Sequence, residues 1–184
     1  MGENWMRRWM PAVTLCLVMS APLALAAPQH GEGDGHGHEA MSAEQQMSQL
    51  VGMCEDSTDA RAQRQAEVPL YQRLGGHDKL QELAGRVVDN HLKNETISSY
   101  FQGVDRDALV EHVVNFVGAG TGGSETYTGR DMVTVHTGMN ITAEEFLATG
   151  GDVVAAMHSM EYGQEEIDEV VCILVSLKDQ VMHQ

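Results

Sequence analysis

Residues 122–146 read GGSETYTGRDMVTVHTGMNITAEEF, and the one imidazole in that run, His136, decides how the rest of the chain is read. Upstream of it, residues 119–135 carry no sustained apolar period, so an irregular loop is expected there. A loop that long inside a compact domain usually has a job. Downstream, Thr142-Ala143-Glu144-Glu145 has the capping-box pattern, in which a Thr side chain and a Glu three residues later satisfy each other's free backbone donors. A helix is therefore expected to start there and to run through Phe146, Val153, Val154 and Met157 to about Met160. His136 is thus held between a glycine-bearing loop and a capped helix.

Working outward, the apolar residues recur at helical spacing and never alternate as in strands. Leu80, Leu83, Ala84, Val87, Val88, His91 and Leu92 line one face of a helix that opens after Gly75-Gly76. A turn-like segment, Thr96 to Phe101, follows. Asp105 is the expected N-cap of a helix whose stripe is Leu109, Val113, Phe116 and Val117, ended by Gly118, Gly120, Gly122 and Gly123. After Gly163, Ile167, Val170, Val171, Leu174 and Val181 mark a last helix. Four substantial helices without repeats or strands make residues 67–184 one all-α domain.

The N-terminal part reads differently. Arg7-Arg8, the apolar run Trp9 to Leu25 and the small-residue site Ala24-Leu25-Ala26 have the layout of a signal peptide over residues 1–26. The expectation is export, periplasmic or secreted, with cleavage near Ala26. The arginine pair raises the twin-arginine route, but its flanks fit Sec export better. Residues 27–66 are expected to be a His/Gly-rich linker followed by an amphipathic helix, with Met47, Leu50, Val51 and Cys54 at spacings of three and four. His30, His36 and His38 are read as a solvated tail or a weak divalent-metal site. Cys54 and Cys172 survive cleavage, and an oxidising compartment permits a bridge between them. A buried free thiol at Cys172 explains the second cysteine equally well.

The full chain has a formal net charge of −16, and removing residues 1–26 takes away Glu3, Arg7 and Arg8 and leaves −17. A chain this acidic repels phosphate backbones, which excludes nucleic acid as a natural partner. No stretch beyond the signal is long and apolar enough to cross a membrane. Nor is there a flavin or nicotinamide fingerprint, so any reducing equivalents must come from a partner.

Apolar helices, a glycine-rich loop and two histidines near the apolar faces, His112 and His136, suit a flat apolar cofactor with a ligand-hungry metal. Periodicity goes no further than that. The ordered motifs do: Leu70-Tyr71 with Leu74-Gly75-Gly76, Tyr100-Phe101-x-Gly103, Gly122-Gly123, Tyr127-Thr128-Gly129-Arg130-x-Met132, and His136-x-Gly138-x-x-Ile141-Thr142-x-x-x-Phe146. Together they resemble group 1 truncated haemoglobins, the 2-over-2 globins, over residues 70–182.

The resemblance implies haem b (iron protoporphyrin IX) as cofactor and O₂, NO or CO as ligands. It implies His136 as the proximal iron ligand and Phe101 as the phenylalanine packed on the haem face. Phe116 matches an aromatic of the distal helix, and Tyr127 and Met132 match residues flanking the haem on the loop side. Arg130 is either a propionate partner or a solvated loop charge. The chain departs from the family on the distal side. The usual distal tyrosine falls at Val88 and its aromatic neighbour at Val87, while polar distal-helix positions fall at Leu109 and Val113. A donor to a polarised partner contributes about 1.5–3 kcal/mol. Its loss implies O₂ release faster by roughly tenfold to a hundredfold. His112 matches a histidine that binds iron in some members, so it is either a second axial ligand or an outward-facing side chain at the stripe's edge. The remaining histidines, His77, His91, His158 and His183, are expected to be structural or on the surface, with His91 facing a propionate or solvent. Two other readings stay open, a copper-handling protein using Met and His, and a haem-free helical interaction module.

Overall fold

The computed structural model describes residues 41–184; the expected signal peptide at 1–26 and the histidines of the 27–40 linker lie outside the described residues. The described chain runs α1 (Ala43–Asp56), α2 (Thr58–Glu67), α3 (Leu70–Arg73), α4 (Gly76–Lys93), a 3₁₀ turn (Ser98–Phe101), α5 (Arg106–Thr121), α6 (Met132–His136), α7 (Ala143–Ser159), α8 (Gln164–Ser176) and α9 (Lys178–Val181). Among the described residues the only strand-like pairing is one parallel bridge between Ile141 and Met182. The four long helices of the domain are the four read from the sequence.

Local chemistry sets their ends. Asp105 accepts from the backbone N–H groups of Asp107 and Ala108, both at 3.0 Å, and starts α5. Thr142 and Glu145 form the expected capping box on α7. Helix α5 passes through Gly118 and Gly120 and stops at Gly122, whose φ of 97° closes the last turn. The loop after it is shorter than expected, because Asp131 caps a further helix. Its side chain accepts from Thr134 N–H at 2.9 Å, and α6 ends on His136.

Two helix pairs, α4 with α5 and α7 with α8, meet where α4 packs on α7. Their seam is a core of Leu80, Leu83, Val87 and Val88 from α4, Val110 and Val114 from α5, Val153, Ala156 and Met157 from α7, and Ile167 and Val170 from α8. On α5 the sequence misplaced the buried face. Leu109, Val113, Phe116 and Val117 are only half-buried, whereas Val110, Val114, Gly118 and Thr121 are buried. The helix is apolar on two faces, one turned to α4 and a second left partly open.

Residues 41–66 form two helices rather than one, broken at Ser57. Helix α1 packs on α7 and α8. It is bonded to α8 by a disulfide between Cys54 and Cys172, inside a small cluster with Val175, Leu50, Val51 and Met53. Helix α2 is tied down by charge. The buried Glu169 of α8 receives Arg64 Nε on one oxygen and Arg73 Nη2 on the other, each at 2.5 Å. Satisfying both oxygens is what makes a buried carboxylate tolerable.

Candidate functional site

His136 is the last residue of α6 and is half-buried. Its Nδ1 lies 2.7 Å from the carbonyl oxygen of Met132, one turn earlier. A carbonyl only accepts, so Nδ1 carries the proton and donates. The ring's tautomer is thereby fixed, and Nε2 is left with its lone pair free. A neutral imidazole oriented by a backbone carbonyl is the donor that haem iron takes as an axial ligand.

The second face of α5 carries Leu109, Val113, Phe116 and Val117, and α6 carries Met132, all half-buried. Phe116 meets Tyr127 edge to face, with ring centroids 5.2 Å apart and planes at 77°. The Tyr127 hydroxyl donates to the carbonyl of Arg130 at 2.7 Å and closes the loop that leads into α6. The structure thus brings three of the expected residues, Tyr127, Arg130 and Phe116, to one loop and its adjoining helix. The Arg130 side chain is exposed and makes no ion pair among the described residues. His112 is likewise exposed, on α5 beside Val113. Val87 and Val88 lie in the core seam, and none of Val87, Val88, Leu109 and Val113 carries a hydrogen-bonding side chain. Half-open apolar side chains and a single oriented imidazole fit a planar apolar metal cofactor.

Phe101 closes the 3₁₀ turn, and its ring stacks on His91, with centroids 5.5 Å apart and planes at 17°. His91 does not face solvent. It is 8% exposed, and its Nδ1 lies 2.9 Å from Asp152 Oδ2 on α7. Asn94 donates to the same oxygen at 3.1 Å, and Asn90 donates to the Asp152 carbonyl at 3.0 Å. Burial pulls the His91 pKa down, and the Asp152 carboxylate pulls it back up; the net direction is down. A signal for this pair existed. His91 stands three residues after Val88 on the apolar stripe, where a polar ring needs a partner. The partner itself, 61 residues away, left no mark in the sequence.

A groove of about 820 Å³ lies elsewhere, between α4 and α5. Its walls are charged, with Arg86, Asp89, Arg106 and Glu111 among them, and it does not include His136.

A family model for bacterial-like globins matches residues 69–183. The chain belongs to the bacterial-like globin family. Among its relatives, a group 1 truncated haemoglobin GlbN of Mycolicibacterium paratuberculosis is 28% identical over 122 residues, 66% of this chain and 90% of that protein. A GlbN of Synechocystis is 26% identical over 108 residues, 56% of this chain and 87% of that protein. In structure, the truncated haemoglobin of Tetrahymena pyriformis superposes with a TM-score of 0.61 at 21% identity, covering 63% of this chain and 99% of that one. The 2/2 haemoglobin of Synechococcus, solved in a cyanomet state with covalently attached haem, gives 0.57 at 25% identity, over 61% and 95% of the two chains. The 2-over-2 globin fold read from the motifs is therefore the observed one. Membership in this family implies haem and the binding of diatomic gases such as O₂. The matched region begins after α2, so the disulfide-bonded helix α1 is an addition to the globin proper.

Proposed function

We propose that this chain is an exported haem globin that serves nitric oxide or redox chemistry, or sensing, in preference to oxygen storage. The observation that carries the haem assignment is the His136 Nδ1–Met132 carbonyl bond, which leaves one ring nitrogen free on a half-buried imidazole. In this reading His136 holds the iron and Phe101, Leu109, Val113, Phe116, Tyr127 and Met132 wall the porphyrin. Arg130, whose guanidinium makes no ion pair among the described residues, takes a propionate. Bound haem b supplies the iron at which O₂, NO or CO is coordinated.

The preference against storage rests on the distal side. Val87 and Val88 are buried and Leu109 and Val113 half-buried, and none of them donates a hydrogen bond. His112 is the nearest distal imidazole in sequence to this apolar face. Turned inward past Val113, it would offer the iron a second imidazole nitrogen, with which gases would compete. Turnover in such a protein draws electrons from an external donor. Export is supported by the disulfide, which an oxidising compartment preserves, and by the leader-like residues 1–26.

One spectrum tests the core of this reading. Purified protein grown with ample haem is expected to show a Soret band and a six-coordinate low-spin pattern in ferric and ferrous forms, and to bind CO. His112→Ala should become five-coordinate, and His136→Ala should lose the wild-type proximal signature. A colourless product that binds copper instead would overturn the haem assignment. A five-coordinate spectrum unchanged in His112→Ala would remove the sixth ligand alone. A mature N-terminus mapped by mass to residue 27 is the expected mark of export.

A further inference from the structure

The turn that follows His136 is held by residues from the far end of the described chain. Gln184 offers its backbone oxygen to two donors of that turn, Gly138 N–H at 3.0 Å and Asn140 N–H at 3.1 Å. In return His183 N–H donates to the Ile141 carbonyl at 3.2 Å, and Met182 lies bridged to Ile141. The tail is itself braced. Its Gln184 side-chain amide donates to the carbonyls of Asp179 at 2.9 Å and Met182 at 3.0 Å. Met182 N–H closes α9 on the Lys178 carbonyl at 2.8 Å. Helix α9 in turn packs on α6, the helix that ends at His136. Three residues take left-handed backbone here, Gly138 at φ 86°, Asn140 at φ 49° and His183 at φ 57°. Two of the three are not glycine, so the conformation is held by its surroundings rather than by local preference.

We propose that Met182–Gln184 form a latch that positions the turn after His136, and so sets the tilt of the His136 imidazole and the strength with which the iron is held. The proposal rests on the haem reading above. These three are positioning residues: each acts through the backbone of residues 138–141. Helix α6 has only five residues, too few to hold its own last ring rigidly. Its single side-chain cap, Asp131, sits at the opposite end from His136. The chain directly after the imidazole also has three other restraints, Met139 N–H to the His136 carbonyl at 3.0 Å, the Thr137 hydroxyl to the Val133 carbonyl at 2.7 Å and the Tyr100 hydroxyl to the Met139 carbonyl at 3.4 Å, but the backbone N–H groups of Gly138 and Asn140 are paired by the tail.

The test uses holoprotein with two changes, a stop after Val181 and His183→Pro. Proline removes the N–H given to Ile141 and cannot adopt a φ of 57°. Residues 182–184 are exposed or half-buried and lie outside the core, so both variants should keep wild-type helix content by circular dichroism. The expected result is a shift of the iron–histidine stretching band, read by resonance Raman after photolysis of the CO complex, where it is visible whatever occupies the sixth position. Transfer of haem to a scavenging apoglobin should accelerate by about tenfold in the truncated protein, and by less in His183→Pro. A truncated holoprotein with the wild-type band and the wild-type rate of haem loss overturns the latch. If the truncation does not fold, His183→Pro decides alone, on the same band and rate. If the wild-type chain takes up no haem at all, the haem reading fails, which is a different result.

Discussion

Cys54 and Cys172 are 118 residues apart, and nearly the whole globin core lies in the loop they close. Replacing both by Ala should therefore be felt mainly in the unfolded chain, which regains the freedom the bond denies it. The chain-entropy relation for a loop of 118 residues gives about 5 kcal/mol at 25 °C. Native cross-links removed from small domains cost roughly 2–5 kcal/mol. Both thiols are buried, Cys54 at 7% and Cys172 at 3% exposure, and Ala leaves little void among Leu50, Val51, Met53 and Val175. A loss of about 3–5 kcal/mol is thus expected for Cys54→Ala/Cys172→Ala, with the same loss for wild type under reductant. Guanidinium titration of the apoprotein, followed by far-UV circular dichroism, measures it. Two results refute the reasoning. One is a double variant within about 1 kcal/mol of wild type, well under the range that cross-link removal predicts. The other is labelling of either cysteine by iodoacetamide without prior reduction.

Gly123→Ala should be destabilising, because an added Cβ would collide with Glu125 Oε2 and lie 2.7 Å from the Tyr71 ring. A loss of about 1–3 kcal/mol by thermal melting, with faster proteolysis in the 122–131 loop, is the expected outcome. The buried His91 gives stability a pH dependence of known sign. Its folded pKa lies below the ordinary 6.5, so as pH falls below that value the unfolded chain takes up the proton first and stability declines until the folded value is reached. In His91→Gln that part of the slope between neutral and acid pH should vanish from urea titrations. On the ligand side, Val88→Tyr restores a donor at a buried distal position, and stopped-flow O₂ dissociation should slow by roughly tenfold or more.

The helices were legible because their signals are local. Thr142 with Glu145, Asp105, and the apolar spacing of α4, α7 and α8 each act within one or two turns. His136 stands among short-range motifs, but the short helix that carries it, capped by Asp131, falls where an irregular loop was expected. Helix α5 was half legible: apolar on two faces, it offers no single period, and the open stripe was taken for the buried one. What the sequence could not reveal depends on partners far along the chain. Asp152 answers His91, Glu169 gathers Arg64 and Arg73, and Gln184 caps Gly138 and Asn140. The bridge between Cys54 and Cys172 is a case in point, since composition allowed it and only packing of α1 on α8 made it.

Synthesis runs from the N-terminus, so the hook at Met182–Gln184 emerges after every other described part of the chain. The helical interior draws on none of these three residues, so it can assemble while the segment beside His136 is still slack. On the haem reading, seating of the iron-binding ring is then a step apart from folding, and a product cut within Met182–Gln184 would look folded yet leak its pigment.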